Sequence, residues 1–195
     1  MNNFIKSVYA GFMIGIGGII YLSLDNPIIA AFLFSFGLLT IIIQQFNLFT
    51  GKIGFVKTKE QLKAIPVIII GNFIGTFLTS VFAKLGNLPI SADIICANKL
   101  NKDIFSIFIL AMFCGIMMYL AVDNYNKTKN VIFIILPVVI FILSGFEHSI
   151  ANMFYFSLAG VWSVKAVVYI LIMICGNAFG ALIFNYIKEK RNVQD

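Results

Sequence analysis

The chain has 195 residues, of which 61% are hydrophobic and only 11% charged, and its mean hydropathy is +0.99. This is too little polar surface to cover a soluble globule, so we predict a protein embedded in a lipid membrane. The formal charge of +6 does not point to a nucleic-acid partner, because the lysines lie between apolar runs, where they orient a membrane protein.

Six apolar windows of about the length of a bilayer-crossing helix fill the chain. They lie near 7–24, 28–47, 64–83, 104–122, 131–148 and 165–187. The segments between them are too short for a separate module, so we predict one transmembrane domain over residues 1–195. Bulky and charged residues, not a cleavage site, follow the first window, which we interpret as a helix and not as a signal peptide.

The basic residues between the windows predict the orientation. If the N-terminus is cytoplasmic, ten lie on the inner side, namely Lys6, Lys52, Lys57, Lys59, Lys63, Lys127, Lys129, Lys188, Lys190 and Arg191. Four lie on the outer side, namely Lys84, Lys99, Lys102 and Lys165. Because cytoplasmic loops carry the excess of Lys and Arg, we expect a multi-pass protein of the inner (cytoplasmic) membrane with both termini cytoplasmic.

Short strings recur along the chain. Residues 47–49 return as 152–154, and the Gly-Asn string of residues 71–75 returns as 176–180, both 105 positions later. A third pair, residues 21–26 and 119–124, recurs at an offset of 98. The halves, about 1–97 and 98–195, hold three windows each, so we predict an inverted repeat. Such repeats surround a pathway near the bilayer midplane, which favours a channel or carrier.

Polar residues interrupt windows 2 and 5 at equivalent depth. They run from Gln44 to Gly51 and from Ser144 to Asn152, and include the only histidine, His148. Polar groups at this depth are costly unless they line a wet cavity or are buried in protein. We therefore predict that both helices break here and resume as half-helices, whose N-terminal ends favour an anion.

Two residues of the second break are candidates for function. A histidine inside the membrane is a candidate proton relay. Its neighbour Glu147 is predicted to anchor the break, either by accepting backbone N–H groups or by pairing with a cation of a neighbouring subunit. The three cysteines match no metal-ligand or disulfide spacing, so no metal and no cofactor are expected.

Residues 145–154, Gly-Phe-Glu-His-Ser-Ile-Ala-Asn-Met-Phe, resemble the signature of the formate/nitrite transporter family. The likeness extends to residues 34–38, residues 48–50, Lys99 and the two Gly-Asn strings. It implies an all-α, aquaporin-like protomer of six helices with helices 2 and 5 broken, assembled as a homopentamer with one pore per protomer. It implies transport, not enzymatic activity, with small monovalent anions or their conjugate weak acids as substrates, formate or nitrite first and hydrosulfide next.

The resemblance also implies roles for particular residues. His148 corresponds to a central pore histidine with Thr50 as its partner, Lys99 to a lysine that attracts anions from outside, and Asn177 to a pore-lining asparagine. Phe34, Leu38, Phe49 and Phe141 correspond to apolar constrictions. We expect transport to be coupled to protons through His148. One departure is Gly115, where the family often has Asn, and it leaves the substrate preference open.

Two other functional classes share features with this sequence. An aquaporin-like channel for a small neutral solute such as water, glycerol or ammonia shares the inverted repeat, but the chain lacks paired Asn-Pro-Ala boxes. A membrane enzyme needs a second polar partner for His148, and the adjacent Ser149 is not placed like a triad member.

Overall fold

The computed structural model describes residues 2–191, and their side chains as far as Lys190. Residue 1, residues 192–195 and the side chain of Arg191, which was counted among the inner basic residues, lie outside this description. All regular secondary structure in the described part of the chain is helical. The helices are α1 (Asn3–Leu22), α2 (Pro27–Ile43), α3 (Phe49–Lys52), α4 (Lys59–Leu85), α5 (Asp93–Leu100), α6 (Ile104–Thr128), α7 (Ile132–Leu143), α8 (Ser149–Ala159) and α9 (Val164–Arg191), with a short 3-10 turn at Ile53–Phe55 after α3.

Polar residues between the apolar windows begin the helices. Asn26 caps α2 just before Pro27, a residue suited to the first helical position. Thr58 and Gln61 form a capping box that begins α4. Asp103 caps α6 by accepting the backbone amide of Ser106, and its hydrogen bonds from the Ser106 side chain and backbone lower the pKa of this carboxyl. These caps set the N-terminal helix bounds within a few residues of the apolar windows.

Four helices, α1, α4, α6 and α9, are long and apolar enough to cross a bilayer. The apolar helices α2 and α7 are shorter, with 17 and 12 residues. Large apolar side chains cover the outside of the molecule: Phe105 is 72% and Leu85 is 73% exposed. Such a surface requires lipid or another subunit as its neighbour. The prediction of an all-helical membrane protein is confirmed at this level.

Small residues let the long helices pack in two close pairs, α1 against α4 and α6 against α9. Helix α8 lies at the centre, where residues Ser149 to Leu158 are all buried. Its position explains why so polar a run is tolerated: the surrounding helices, not lipid, provide its environment.

One end of the molecule is held by aromatic and ionic contacts. Phe55 stacks on Tyr119 of α6 with ring centroids 4.9 Å apart. Lys57 donates to Glu189 of α9 at 2.8 Å, and this hydrogen bond raises the pKa of Lys57 above its ordinary value. Lys188 pairs with Asp123 at the same end. The segment after α3 therefore lies beside the C-terminal ends of α6 and α9.

Candidate functional site

Helices α2 and α7 end in the same way. After α2, Gln45 adopts a positive φ of 55°, and the amide of Phe46 donates to the carbonyl of Ile41. After α7, Gly145 has a φ of 67°, and the amide of Phe146 donates to Phe141. Both ends are Schellman motifs, in which a left-handed residue turns the chain out of the helix. The chain then resumes as α3 and as α8.

Two buried asparagines hold the chain after these ends. Asn72 of α4 accepts the amide of Phe49 at 2.9 Å and donates to the carbonyl of Asn47 at 2.8 Å. Asn177 of α9 accepts the amide of Ser149 at 2.9 Å and donates to the carbonyl of Glu147 at 2.8 Å. Each also donates to a third carbonyl, that of Ser7 for Asn72 and that of Ala111 for Asn177. Both amides are fully used in satisfying backbone groups.

These contacts correct the register of two recurring strings. Asn72 and Asn177 do correspond at an offset of 105, as the Gly-Asn strings predict. Asn47, however, occupies the place of Glu147 and not that of Asn152, because the two carbonyls of residues 47 and 147 are the ones bound. The recurrence of residues 21–26 at an offset of 98 has no counterpart either, since Gly11 and Gly115, which pack on the two asparagines, are 104 apart.

Thr50 and His148 meet between the two breaks. Thr50 Oγ1 lies 3.0 Å from His148 Nε2, and both residues are almost fully buried. His148 is also the N-cap of α8, and its Nδ1 accepts the amide of Ala151 at 3.1 Å. Because Nδ1 is an acceptor, a neutral ring carries its proton on Nε2 and donates it to Thr50. The cap thus selects the tautomer.

Two cavities lie near this contact, one lined by the residues that follow Thr50 and the other by His148 itself. A cavity of about 250 Å³ is lined by Leu38, Gly51, Lys52 and other residues near the end of α2. A second, of about 140 Å³, is lined by Lys99, His148, Phe34 and Phe141 among others. We name them the inner cavity and the outer cavity, after the sides to which the sequence assigns Lys52 and Lys99.

Three of the four apolar residues predicted as constrictions line these cavities, and the fourth, Phe49, lies next to Thr50 in the chain. Phe34 and Phe141 form an edge-to-face pair with centroids 6.1 Å apart, and the ring of Phe141 lies 5.6 Å from that of His148. Leu38 reaches the inner cavity. Phe49 is only 1% exposed and starts α3 beside Thr50. The structure therefore brings all four predicted constriction residues close to the Thr50–His148 contact or to the cavities beside it.

Glu147 has a partner that the sequence did not suggest. Its Oε2 accepts Lys99 Nζ at 2.5 Å and Asn152 Nδ2 at 2.9 Å. Lys102 Nζ lies 3.7 Å from Oε1, which has no hydrogen-bond partner among the described residues. Within the described part of the chain, the partners of the Glu147 carboxylate are thus Asn152 and two lysines, and not the backbone amides of the first prediction. Lys99 is consequently paired, not free.

Asn177 and Gly115 also differ from what the resemblance implies. Asn177 is fully buried, is committed to three backbone groups and lines neither of the two cavities. Gly115 lies against it: a Cβ on Gly115 would be 2.1 Å from the carbonyl oxygen of Asn177. This glycine serves the close approach of α6 and α9. The backbone amide of Ser149 at the start of α8 donates to Asn177, so it does not require a bound anion as its acceptor.

Sequence reasoning missed two features. Helix α5 carries Lys99, but its eight residues are too few and too mixed in polarity to stand out as an apolar window. Tyr155 lines the outer cavity although its immediate neighbours, Phe154 and Phe156, are apolar. Only its position, one helical turn beyond Ala151 and Asn152, which line the same cavity, could have suggested this.

Known proteins resemble the chain over nearly its full length. The family model described as formate/nitrite transporter matches residues 1–188. The formate channel FocA of Haemophilus influenzae is 25% identical in an alignment of 182 residues. The alignment covers 78% of this chain and 64% of that protein. The nitrite transporter NirC of Escherichia coli is 27% identical over 180 residues, or 80% of this chain and 67% of that protein.

Solved structures share the fold. A pentameric formate channel with formate bound superimposes with a TM-score of 0.88 at 23% identity, covering 99% of this chain and 97% of that one. An FNT family ion channel gives a TM-score of 0.86 at 21% identity, covering 97% and 89%.

The apolar helices and this fold define a multi-pass, all-helical membrane protein. The chain belongs to the formate/nitrite transporter family, which confirms the resemblance seen in residues 145–154. The family is described as a transporter family, and the relatives are named as a formate channel and a nitrite transporter. The chain spans only 64% of the length of the FocA relative.

Proposed function

We propose that the chain is a membrane channel or transporter for small monovalent anions or their conjugate weak acids, with formate or nitrite first and hydrosulfide next. The observation that carries the proposal is the buried hydrogen bond between Thr50 and His148, which lies beside two separate cavities. Relatives named as formate channels and nitrite transporters support the choice of anions.

The proposed arrangement in the membrane has six crossings. Four are the long apolar helices. The other two are the broken pairs, α2 with α3 and α7 with α8. The matched Schellman ends and the matched asparagines, Asn72 and Asn177, support an inverted repeat of two three-helix halves. Both broken helices then belong to equivalent positions in the two halves.

We place both termini on the cytoplasmic side of the inner membrane. Lys57, Lys188 and Lys127 meet carboxylates at one end of the molecule. Tyr169 of α9 donates to the carbonyl of Lys102 at the other end. This grouping supports the orientation given by the excess of lysines in inner segments. Exposed apolar helix faces and the pentameric neighbour support a homopentamer in lipid.

The energetics favour a neutral form of the substrate at the apolar layer. Moving a bare carboxylate into a low-dielectric medium costs on the order of 20 kcal/mol in the idealised Born estimate, and several kcal/mol after relaxation and water entry. Protonating a carboxylate at neutral pH costs about 4 kcal/mol when its pKa is about 4. Phe34, Leu38, Phe49 and Phe141 would form the layer that makes the protonated route competitive.

The proton has a defined route in this proposal. In the tautomer set by the cap of α8, His148 carries its proton on Nε2, which points to Thr50. Giving that proton to a substrate requires Nδ1 to gain one, and Nδ1 first has to release the amide of Ala151. Proton coupling through His148 therefore includes opening of this cap, with water of the outer cavity as the proton source.

Lys99 and Glu147 would act together in attracting the anion. The Lys99 ammonium is paired with Glu147, and the nearby Lys102 brings a second positive charge. Two lysines and one carboxylate leave a net charge of about +1 at the entrance to the outer cavity. This charge raises the local concentration of anions without binding them tightly.

Flux measurements in proteoliposomes test the proposal. Formate, nitrite, hydrosulfide and lactate would be presented over a range from about pH 5 to about pH 8, where histidine titrates, while internal pH is recorded. We expect saturable uptake of at least one acid together with protons, and loss of the proton-coupled flux in His148→Asn. Permeation of water, glycerol or ammonia with no flux of the four acids would refute the anion proposal and support a neutral-solute channel.

A further inference from the structure

Two tyrosines, Tyr21 and Tyr155, line the outer cavity, and Tyr155 is the more buried of the two. The cavity has five polar side chains: Tyr21, Lys99, His148, Asn152 and Tyr155. Three of them have hydrogen-bond partners: Lys99 donates one bond to Glu147 and keeps two N–H donors free in the described part of the chain, His148 binds Thr50, and Asn152 binds Glu147 and the carbonyl of His148. Tyr155 is only 8% exposed, and its hydroxyl has no hydrogen bond within residues 2–191.

The hydroxyl of Tyr155 faces the contents of the cavity. Buried phenol groups nearly always have a hydrogen-bond partner. The side-chain atoms that are sealed off without a partner in the described part of the chain are Glu147 Oε1, Ser149 Oγ and Asn152 Oδ1, and the Tyr155 oxygen is not among them. Its partner must therefore come from the cavity, as water or as a solute.

The chemistry of a phenol distinguishes the candidate substrates. A tyrosine hydroxyl donates one strong hydrogen bond and accepts others, whereas sulfur is a weak acceptor. A carboxylate or nitrite oxygen between this hydroxyl and the Lys99 ammonium receives two donors. The neutral acid of the same substrate can donate its own O–H to the phenol oxygen. Hydrosulfide shares the attraction to the ammonium, but it accepts through sulfur and so forms a weaker hydrogen bond with the phenol.

We propose that the Tyr155 hydroxyl is a substrate-binding group of the outer cavity that selects small oxyacids, of the carboxylic or nitrous type, over hydrosulfide. The inference rests on the proposed anion transport and adds its substrate class. Tyr21 lines the same cavity from α1 and is more exposed, so it contributes less to this selection.

The test compares Tyr155→Phe with wild-type protein in proteoliposomes, for formate, nitrite and hydrosulfide separately. Loss of one hydrogen bond predicts a KM for formate and nitrite about three- to tenfold higher, with hydrosulfide changed less than about twofold. The matched control is Tyr9→Phe, which makes the same change at an exposed position on α1. Tyr155→Gln, which restores a donor, should recover part of the preference.

Two results would overturn the inference. Identical kinetics of wild type and Tyr155→Phe for all three substrates would mean that water alone occupies the hydroxyl. An equal loss for all three substrates, together with a lower melting temperature, would assign Tyr155 a packing role. If the wild-type protein carries none of the three, the proposed function itself fails, and this is seen before any variant is compared.

Discussion

Asn177 fixes the backbone on both sides of His148 without touching the imidazole: it accepts the amide of Ser149 and donates to the carbonyl of Glu147. The histidine ring is thereby presented to Thr50 by an amide on a different helix. The same arrangement around Leu48 is provided by Asn72. The asparagine of each Gly-Asn string therefore holds the backbone of the site in place more than it contributes to the surface of the site.

Replacing Asn177 with Ala should therefore lower stability first. The change leaves three buried backbone groups without partners, at a cost of roughly 3 kcal/mol or more in the free energy of unfolding. Thermal unfolding of the detergent-solubilised protein would measure it, with Asn72→Ala expected to behave alike and the exposed Asn98→Ala as control. An unchanged melting temperature with altered anion selectivity would instead make Asn177 a pore-lining residue.

The pair of Lys99 and Glu147 predicts strong coupling between two variants. Lys99→Met leaves a fully buried carboxylate with the hydrogen bond from Asn152 and with Lys102 as the remaining nearby cation, which should cost about 3 kcal/mol of stability. Glu147→Gln should cost less and should lower the KM for anion uptake, because it frees the Lys99 ammonium. The double variant should be more stable than the sum of the single losses predicts. Additive losses would show that the pair is not energetically coupled.

Thr50 offers an isosteric test of the contact with His148. Thr50→Val removes the acceptor of the Nε2 proton and keeps the shape, so proton-coupled flux should fall about three- to tenfold and its pH profile should shift. Thr50→Ser retains the hydroxyl and should transport like the wild type. The prediction fails if valine and serine at this position give the same flux and the same pH profile.

Gly115→Ala should destabilise the protein, although alanine is the better helix former. The new Cβ would meet the carbonyl oxygen of Asn177 at 2.1 Å, and a backbone atom cannot move aside, so we expect a loss of about 2–3 kcal/mol. Gly11→Ala should act alike through Asn72. The control is Gly51→Ala, where the nearest side-chain atom is at 3.5 Å. Equal melting temperatures of the three variants would contradict this packing.

Cys96 in the short helix α5 should be unreactive at ordinary pH. Its burial raises the pKa of the thiol to about 12. Because only the thiolate reacts, maleimide labelling near pH 8 should be roughly a thousandfold slower than for a free cysteine and should accelerate as the pH rises. A variant without Cys114 and Cys175 isolates this thiol, and denaturant should restore labelling. Fast labelling of the folded protein would show that α5 is not packed as described.

The sequence predicted the parts of the fold that depend on hydrophobicity. The windows near 104–122 and 165–187 match α6 and α9, because a helix in lipid must be apolar along its length. The end of α2 was less defined: the window near 28–47 runs past Ile43, since the turn at Gln45 depends on backbone geometry and not on polarity.

The candidate site was predicted in composition but not in its partners. Thr50 and His148 could be named because a polar residue in a broken membrane helix is conspicuous. The pairing of Lys99 with Glu147 depends on where α5 sits, and nothing local in residues 93–100 encodes that position. The sequence paired Asn47 with Asn152 because residues 47–49 and 152–154 are similar by chance. The residue that corresponds to Asn47 in the structure, Glu147, lies only five positions away from Asn152.

The turn after α2 is held by Asn72 and the turn after α7 by Asn177, each from within the same half of the chain. The halves then join through packing of α2 on α7 and of α4 on α8, with an exposed connection at residues 86–91. Thr50 comes from the first half and His148 from the second. The pair therefore forms only when the two halves of the chain pack together, as a cleft at a homodimer interface forms only in the dimer. Two separately synthesised fragments that associate would recreate it.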